Sequence, residues 1–244
     1  MPPFRAALLI LLLSLLARPA AAGPPFVSDD PEPTDYKHFE IYAFNSGTTN
    51  LGGTAGQGGI DFNYGALPDL QVTVVVPAGF ERPPDGSVQL GMGNIQFAAK
   101  YRFLHQDSFG LDVSFFPRLF MPAGQTPTGS PNASVLLPLW FQKDWGKWSV
   151  FGGGGCSIST DSTQDACLAG AVLNRQVSSR LQVGLELAWQ SGTAAGAVPG
   201  TAIGIGARYD LTDHAHLLAY VNRGVQNADA VNDFSWYAAM LFTF

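Results

Sequence analysis

Charge is what this 244-residue sequence has least of. Lys, Arg, Asp and Glu together make up 13% of it, about half the quarter usual in soluble domains. The charge that exists is not basic: 13 Lys+Arg stand against 19 Asp+Glu. A nucleic-acid footprint is therefore excluded. Long apolar runs are also missing. Beyond "ALLILLLSLLA" (Ala7 to Ala17) nothing approaches the roughly 20 residues of a spanning helix. If the rest of the chain crosses a bilayer, it must do so as a closed β-barrel, the other way to satisfy a backbone in lipid. No linker, charge block or composition shift divides the chain, so one large β-domain is expected.

The first residues read as a secretory signal peptide over 1–22. Arg5 opens the charged region, Ala7 to Ala17 form the apolar stretch, and Ala20 to Ala22 supply the small residues before cleavage. Loss of Arg5 and Arg18 takes 13 basic residues to 11 against 19 acidic ones, a charge near −8. Export through this peptide to a bacterial outer membrane is the expected route. The other end, "WYAAMLFTF" (Trp236 to Phe244), is as unusual. Trp236, Ala238, Met240, Phe242 and Phe244 share one face at period two, the period of a strand.

Between these ends, about twelve strand-like segments recur, near 37–46, 58–66, 69–77, 91–104, 108–120, 133–143, 147–155, 166–175, 180–190, 201–210, 214–223 and 233–244. The links alternate. "TTNLGGTAGQ", "AGFERPPDGSVQ", "PAGQTPTGSPN", the cysteine loop, "SGTAAGAVPG" and "GVQNADAVN" are long, while "ALPD", "HQDS", the turn through Asp144 to Gly146, "QVSSR" and "LTDH" are short. Long extracellular loops and short periplasmic turns are the layout of an outer-membrane barrel. The fold class expected is an all-β transmembrane antiparallel barrel of about twelve strands over 37–244, with 23–36 an N-terminal periplasmic segment.

Several strands have one apolar and one charged face. In a soluble sandwich the apolar face would be core; in a barrel it meets lipid and the charged face lines the lumen. Aromatics decide. Tyr64, Tyr101, Phe103, Trp148, Tyr209 and Phe244 all fall on the apolar face beside a short turn, as an interfacial girdle. The lumenal candidates are then Glu40, Asp61, Lys100, Arg102, Asp112, Arg118, Glu186 and Arg208. They serve either as packing ion pairs or as a constriction that selects solutes. Around twelve strands falls between a filled barrel and an open porin, so a narrow or partly plugged lumen is expected.

Other features have a bland and a sharp reading. Cys156 and Cys167 in an exported chain point to a disulfide bracing their loop, rather than to a metal site. "DDPEPTDY" (Asp29 to Tyr36) is either a solvated tail or a stopper for the lumen, drawn in by Arg102 or Arg208. "GGGG" (Gly152 to Gly155) lacks the Lys-Ser/Thr of a phosphate loop and suits bending or close approach within a strand. His214 and His216 have no evident third metal ligand. No Ser/His constellation marks a lipid hydrolase, the rival class, and a purely structural or adhesive barrel is the third. No cofactor is implied.

Met240, Phe242 and Phe244 resemble the signal by which the β-barrel assembly machinery recognises its substrates, so that machinery, outer-membrane lipid and an unidentified small solute are the expected partners. "GPPFVSDDPEPTDYKHFEIY", "FNYGALPDLQV", "KYRF", "LPLWFQKDWGKW", "GGGG" and "YDLTDHAHLL" resemble a family of outer-membrane transporters labelled for the MetA pathway of phenol degradation. The resemblance implies passive passage of small, hydrophobic or aromatic molecules, and no catalytic or substrate-binding residues come with it. The cysteine pair departs from the family's usual loop.

Overall fold

The computed structural model describes residues 25–123, 129–192 and 197–244. The signal-peptide stretch lies outside the described residues. Strands follow one another along the chain: β1 (Phe39–Asn50), β2 (Gly53–Leu67), β3 (Leu70–Arg82), β4 (Gln89–Met92), β5 (Ile95–Leu104), β6 (Asp112–Phe115) and β7 (Arg118–Met121). They continue as β8 (Ser134–Trp145), β9 (Trp148–Ser159), β10 (Ala166–Gln176), β11 (Leu181–Gln190), β12 (Gly200–Asp210), β13 (Ala215–Gln226) and β14 (Phe234–Thr243). Among the described residues two single-turn α-helices, α1 (Gln106–Phe109) and α2 (Ala228–Val231), and a 3-10 turn over Ser162–Gln164 sit in links.

The strands form one antiparallel sheet that closes on itself. β14 pairs with β1 from Glu40↔Thr243 to Thr49↔Phe234. On the other side β3 pairs with both β4 and β5, and β8 with both β6 and β7. β4 with β5, and β6 with β7, are therefore two interrupted staves, and the barrel has 12 strands. The second interruption follows from Pro117, which has no N–H to give to the ladder. Inward–outward alternation continues through it. Ser114 and Phe116 are buried, while Phe115 and Leu119 are exposed.

Burial settles which face is which. Asn63, Gln71, Thr73, Lys100, Gln142, Asn174, Glu186, His216 and Asn222 are buried. Phe62, Val74, Phe97, Leu139, Phe141, Leu185, Leu187, Ile203, Ile205 and Leu217 are exposed. An inside that mixes the polar groups with a small cluster of Tyr42, Leu218, Ala239 and Leu241, and a continuous apolar outside, suit a lipid-facing wall and no soluble domain.

Two expectations change. "TTNLGGTAGQ" is not a long loop, because β1 and β2 pair to their tips, Asn50↔Gly53, leaving a link of residues 51–52. Its Thr and Gly residues looked loop-like, but polarity here marks strand that has left the bilayer, with Thr49 and Thr54 hydroxyls 3.1 Å apart. The second change concerns 23–36. Most of its described part, 25–34, lies inside the barrel rather than in the periplasm, with Asp30 fully buried, Ser28 2% exposed and Thr34 5% exposed, while Asp35 and Tyr36 are exposed at the mouth. Gly152 and Gly153 hold φ values of 157° and 153°, and a Cβ on either would strike the backbone of β10 or β8. The glycine run thus permits close approach in a sharply coiled sector of the wall.

Candidate functional site

The N-terminal segment enters the lumen at the end where the short turns and both strand termini lie, the periplasmic end in a barrel of this layout. Tyr36 bridges Gly65 of β2, and Lys37 N–H donates to Gly65 O at 2.8 Å. One turn deeper, the Thr34 N–H and hydroxyl both donate to Gln71 Oε1, at 2.8 and 3.0 Å. Gln71 in turn donates to Asn63 Oδ1 at 2.7 Å and to the Thr73 hydroxyl at 2.9 Å, so Gln71, Asn63 and Thr73 form a fixed cradle.

At mid-barrel Asp29 meets two cations. Lys100 Nζ lies 3.0 Å from it and Arg118 pairs with its other oxygen. Lys100 is 5% exposed at its side chain and also donates to Glu32 O at 3.2 Å. Both cations stand over the ring of Phe116, at 4.8 and 4.3 Å from its centroid. The interrupted stave presents this ring inward, beneath the charges it helps hold.

Across the lumen the described start of the segment packs on β9 to β13. The Val27 and Ser28 N–H groups donate to the buried Glu186 carboxylate at 3.1 and 2.6 Å. Phe26 lies edge-on to Phe151 and Tyr220, with centroids 5.8 and 5.4 Å away. Its ring occupies the space that side chains on Gly184 and Gly206 would fill, and Ser28 does the same at Gly170. Gly184 and Gly206 are cross-strand partners, so the seat is a flat patch of bare backbone around one carboxylate.

Beside the lumenal segment, and partly lined by it, remains a chamber of about 460 Å³. Glu40, Asp61, Lys100, Arg118 and Arg208 line it with Tyr42, Phe44 and Tyr237. Tyr42 donates to Glu40 at 3.0 Å and Asn63 to Asp61 at 2.9 Å. The Phe44 and Tyr237 rings are parallel within 10°. A volume of this size is typical of small-molecule sites.

Of the eight lumenal candidates, five line the chamber and Glu186 anchors the segment opposite. Arg102 and Asp112 lie at the periplasmic mouth, where Arg102 binds Asp69 at 2.9 Å and lies 3.9 Å from Asp112. The segment is held by Lys100 and Arg118, not by Arg102 or Arg208 as expected. Each of those two arginines is engaged by a carboxylate near a short turn, Asp69 or Asp210, the latter at 3.1 Å. Phe26, Thr34, Gln71 and Phe116 escaped the sequence reading. The one available signal was the set of glycines at inward positions of β10 to β12.

Cys156 and Cys167 are bonded, directly opposite each other in the β9–β10 ladder. Met240, Phe242 and Phe244 share the outward face of the last stave, with Phe242 and Phe244 exposed. Phe39 and Phe244 exchange backbone hydrogen bonds of 2.9 and 3.0 Å that seal the seam. His216 Nδ1 lies 2.6 Å from Asp210, and His214 Nδ1 lies 3.0 Å from Thr243 O. Among the described residues no group of three His, Cys, Asp or Glu could hold a metal.

A closed barrel, apolar outside and polar within, with both ends at the short-turn rim, defines an outer-membrane β-barrel. Solved structures share the fold. The COG4313 outer membrane channel from Pseudomonas putida F1 is 18% identical with a TM-score of 0.65, covering 91% of this chain and 99% of that one. The KdgM porin in complex with disordered oligogalacturonate is 8% identical with a TM-score of 0.56, covering 84% of this chain and 99% of its own. The NanC porin is 7% identical with a TM-score of 0.54, covering 84% and 98%. The family described as "Putative MetA-pathway of phenol degradation" matches residues 31–232, and the chain belongs to that family. No curated protein matches its sequence.

Proposed function

We propose that this protein is a passive outer-membrane channel for small molecules, hydrophobic or aromatic ones among them, whose lumen is closed by its own N-terminal segment. The observation that carries the reading is the polar lumen with its chamber of about 460 Å³ beside a seated plug. Paired charges and hydroxyls give water and solutes a path that a filled eight-strand barrel lacks. The solute class rests on the family's description and on the parallel Phe44 and Tyr237 rings beside the chamber. Signal-peptide export delivers the chain, and the terminal Met240, Phe242 and Phe244 address it to the assembly machinery.

Swelling of liposomes holding the purified protein tests this with a panel of small neutral, charged and aromatic solutes. Swelling faster than in protein-free liposomes, for aromatic solutes in particular, is the expected result. No uptake of any solute and no conductance in planar bilayers would overturn it.

A further inference from the structure

The mature chain carries few cations, and their placement is uneven. Lys100, Arg102, Arg118 and Arg208 face the lumen, and Arg82 and Arg223 lie toward the other rim. Of those left at the periplasmic rim, Lys143, Lys147, Arg175 and Arg180 occupy one sector, the ends of β8 to β11, and all four are exposed. Lys37 alone lies elsewhere. In a chain of net charge −6 this is a local reversal of sign.

Two exposed tryptophans complete the sector. Trp145 and Trp148 are cross-strand partners on the hairpin of β8 and β9, 48% and 36% exposed. The Arg175 guanidinium sits 4.8 Å from the Trp148 ring centroid, a contact that holds it against the wall. Lys143 Nζ is tied to Gly110 O of the neighbouring link, and Gln176 N–H donates to Lys147 O at 2.8 Å, placing Lys147 beside the end of β10. Within the ends of β8 to β11 the carboxylate is Asp144, which accepts the Gln142 amide at 3.0 Å, while Asp107 and Asp210 lie on either flank, in α1 and at the end of β12.

Two residues further along each strand the same outward face is apolar. Phe141 precedes Lys143, Val150 follows Trp148 and Leu173 precedes Arg175, each about 40% exposed. By register Lys143 shares a rung with Val150 and Leu173, and Trp145, Trp148 and Arg175 share the next outward-facing rung, so cations and indoles take over within one such rung on three adjacent strands, where the lipid-facing band ends. That is the level of a phosphate headgroup, with its acyl chains against the band and indoles at the boundary.

We infer that this sector is a binding site for an anionic phospholipid of the periplasmic leaflet, its phosphate held by Arg175, Lys147 and Lys143 and its chains lying on Phe141, Val150 and Leu173. Charge complementarity and continuity with the lipid-facing band favour a lipid over a soluble partner. The shared chemistry is a phosphate anion, so the test must separate a lipid from free phosphate.

The full mature protein is reconstituted in phosphatidylcholine vesicles containing a minority of phosphatidylglycerol. Tryptophan quenching is measured with bromine on one lipid or on the other. Brominated phosphatidylglycerol should quench beyond its mole fraction, and each neutralised cation in Lys143→Gln, Lys147→Gln and Arg175→Gln should lower that preference about fivefold. Arg223→Gln, at the far rim, should leave it unchanged, and heat-modifiable gel migration reports that each variant is folded. Quenching in proportion to mole fraction, an equal effect from Arg223→Gln, or loss of the preference in millimolar inorganic phosphate at constant ionic strength would each overturn the assignment.

Discussion

Asp29 is the residue through which the lumenal segment meets both mid-barrel cations. Its carboxylate satisfies Lys100, buried in the wall, and Arg118 at once. Lys100 keeps Asp30 at 3.7 Å, so losing the Asp29 charge strips its carboxylate chiefly from Arg118, at a cost below the ~3–5 kcal/mol of a fully broken buried pair. Asp29→Asn should therefore loosen the segment while sparing the ladder, seen as faster proteolysis of residues 25–36 in a barrel that still migrates as folded. Unchanged proteolysis would show that Glu186 and Gln71 hold the segment without it. Gly184→Leu tests the far end, since any side chain there meets the Phe26 ring. It should release the segment in the same assay, whereas Leu185→Ala on the outward face of the same strand should not. The lumenal charges could be read from the sequence, because Lys100 and Arg118 lie opposite apolar neighbours at period two. Phe116 could not. It is an aromatic on the polar face, and only the missing N–H of Pro117 and the cations above it explain why it is there.

At the scale of elements, the strands were legible because lipid outside and water inside impose strict alternation on every stave. The interruptions in the fourth and fifth staves were not, since alternation runs on through both. Nor was the reach of β1 and β2 beyond the bilayer, where Thr and Gly pair as strand while reading as loop. The Cys156–Cys167 bond joins residues that the β9–β10 ladder already sets opposite each other. Replacing both with serine should lower the unfolding free energy by about 2–3 kcal/mol and leave conductance unaltered. A changed conductance would tie the hairpin to gating. The last stave closes on the first through the Phe39 and Phe244 backbone pair. Deleting Phe244 should reduce the fraction of heat-modifiable, folded barrel in the outer membrane, and normal assembly would contradict its role as an address.

For the whole molecule, the sequence led to a barrel with an intermediate bore and left two fates for "DDPEPTDY" open. Composition could not choose between them. Four carboxylates suit a solvated tail as well as a plug, and the choice depends on a cradle spread over β2, β3, β5, β7 and β11 that only the closed barrel assembles. In the proposed function the lumen is a small-molecule path held shut by residues 25–36. Single-channel recording in planar bilayers of the mature protein and of a variant lacking residues 23–36, both shown to be folded by heat-modifiable migration, tests it most directly. A markedly larger and steadier conductance in the shortened barrel is the result predicted. Equal conductance in the two folded proteins would contradict it.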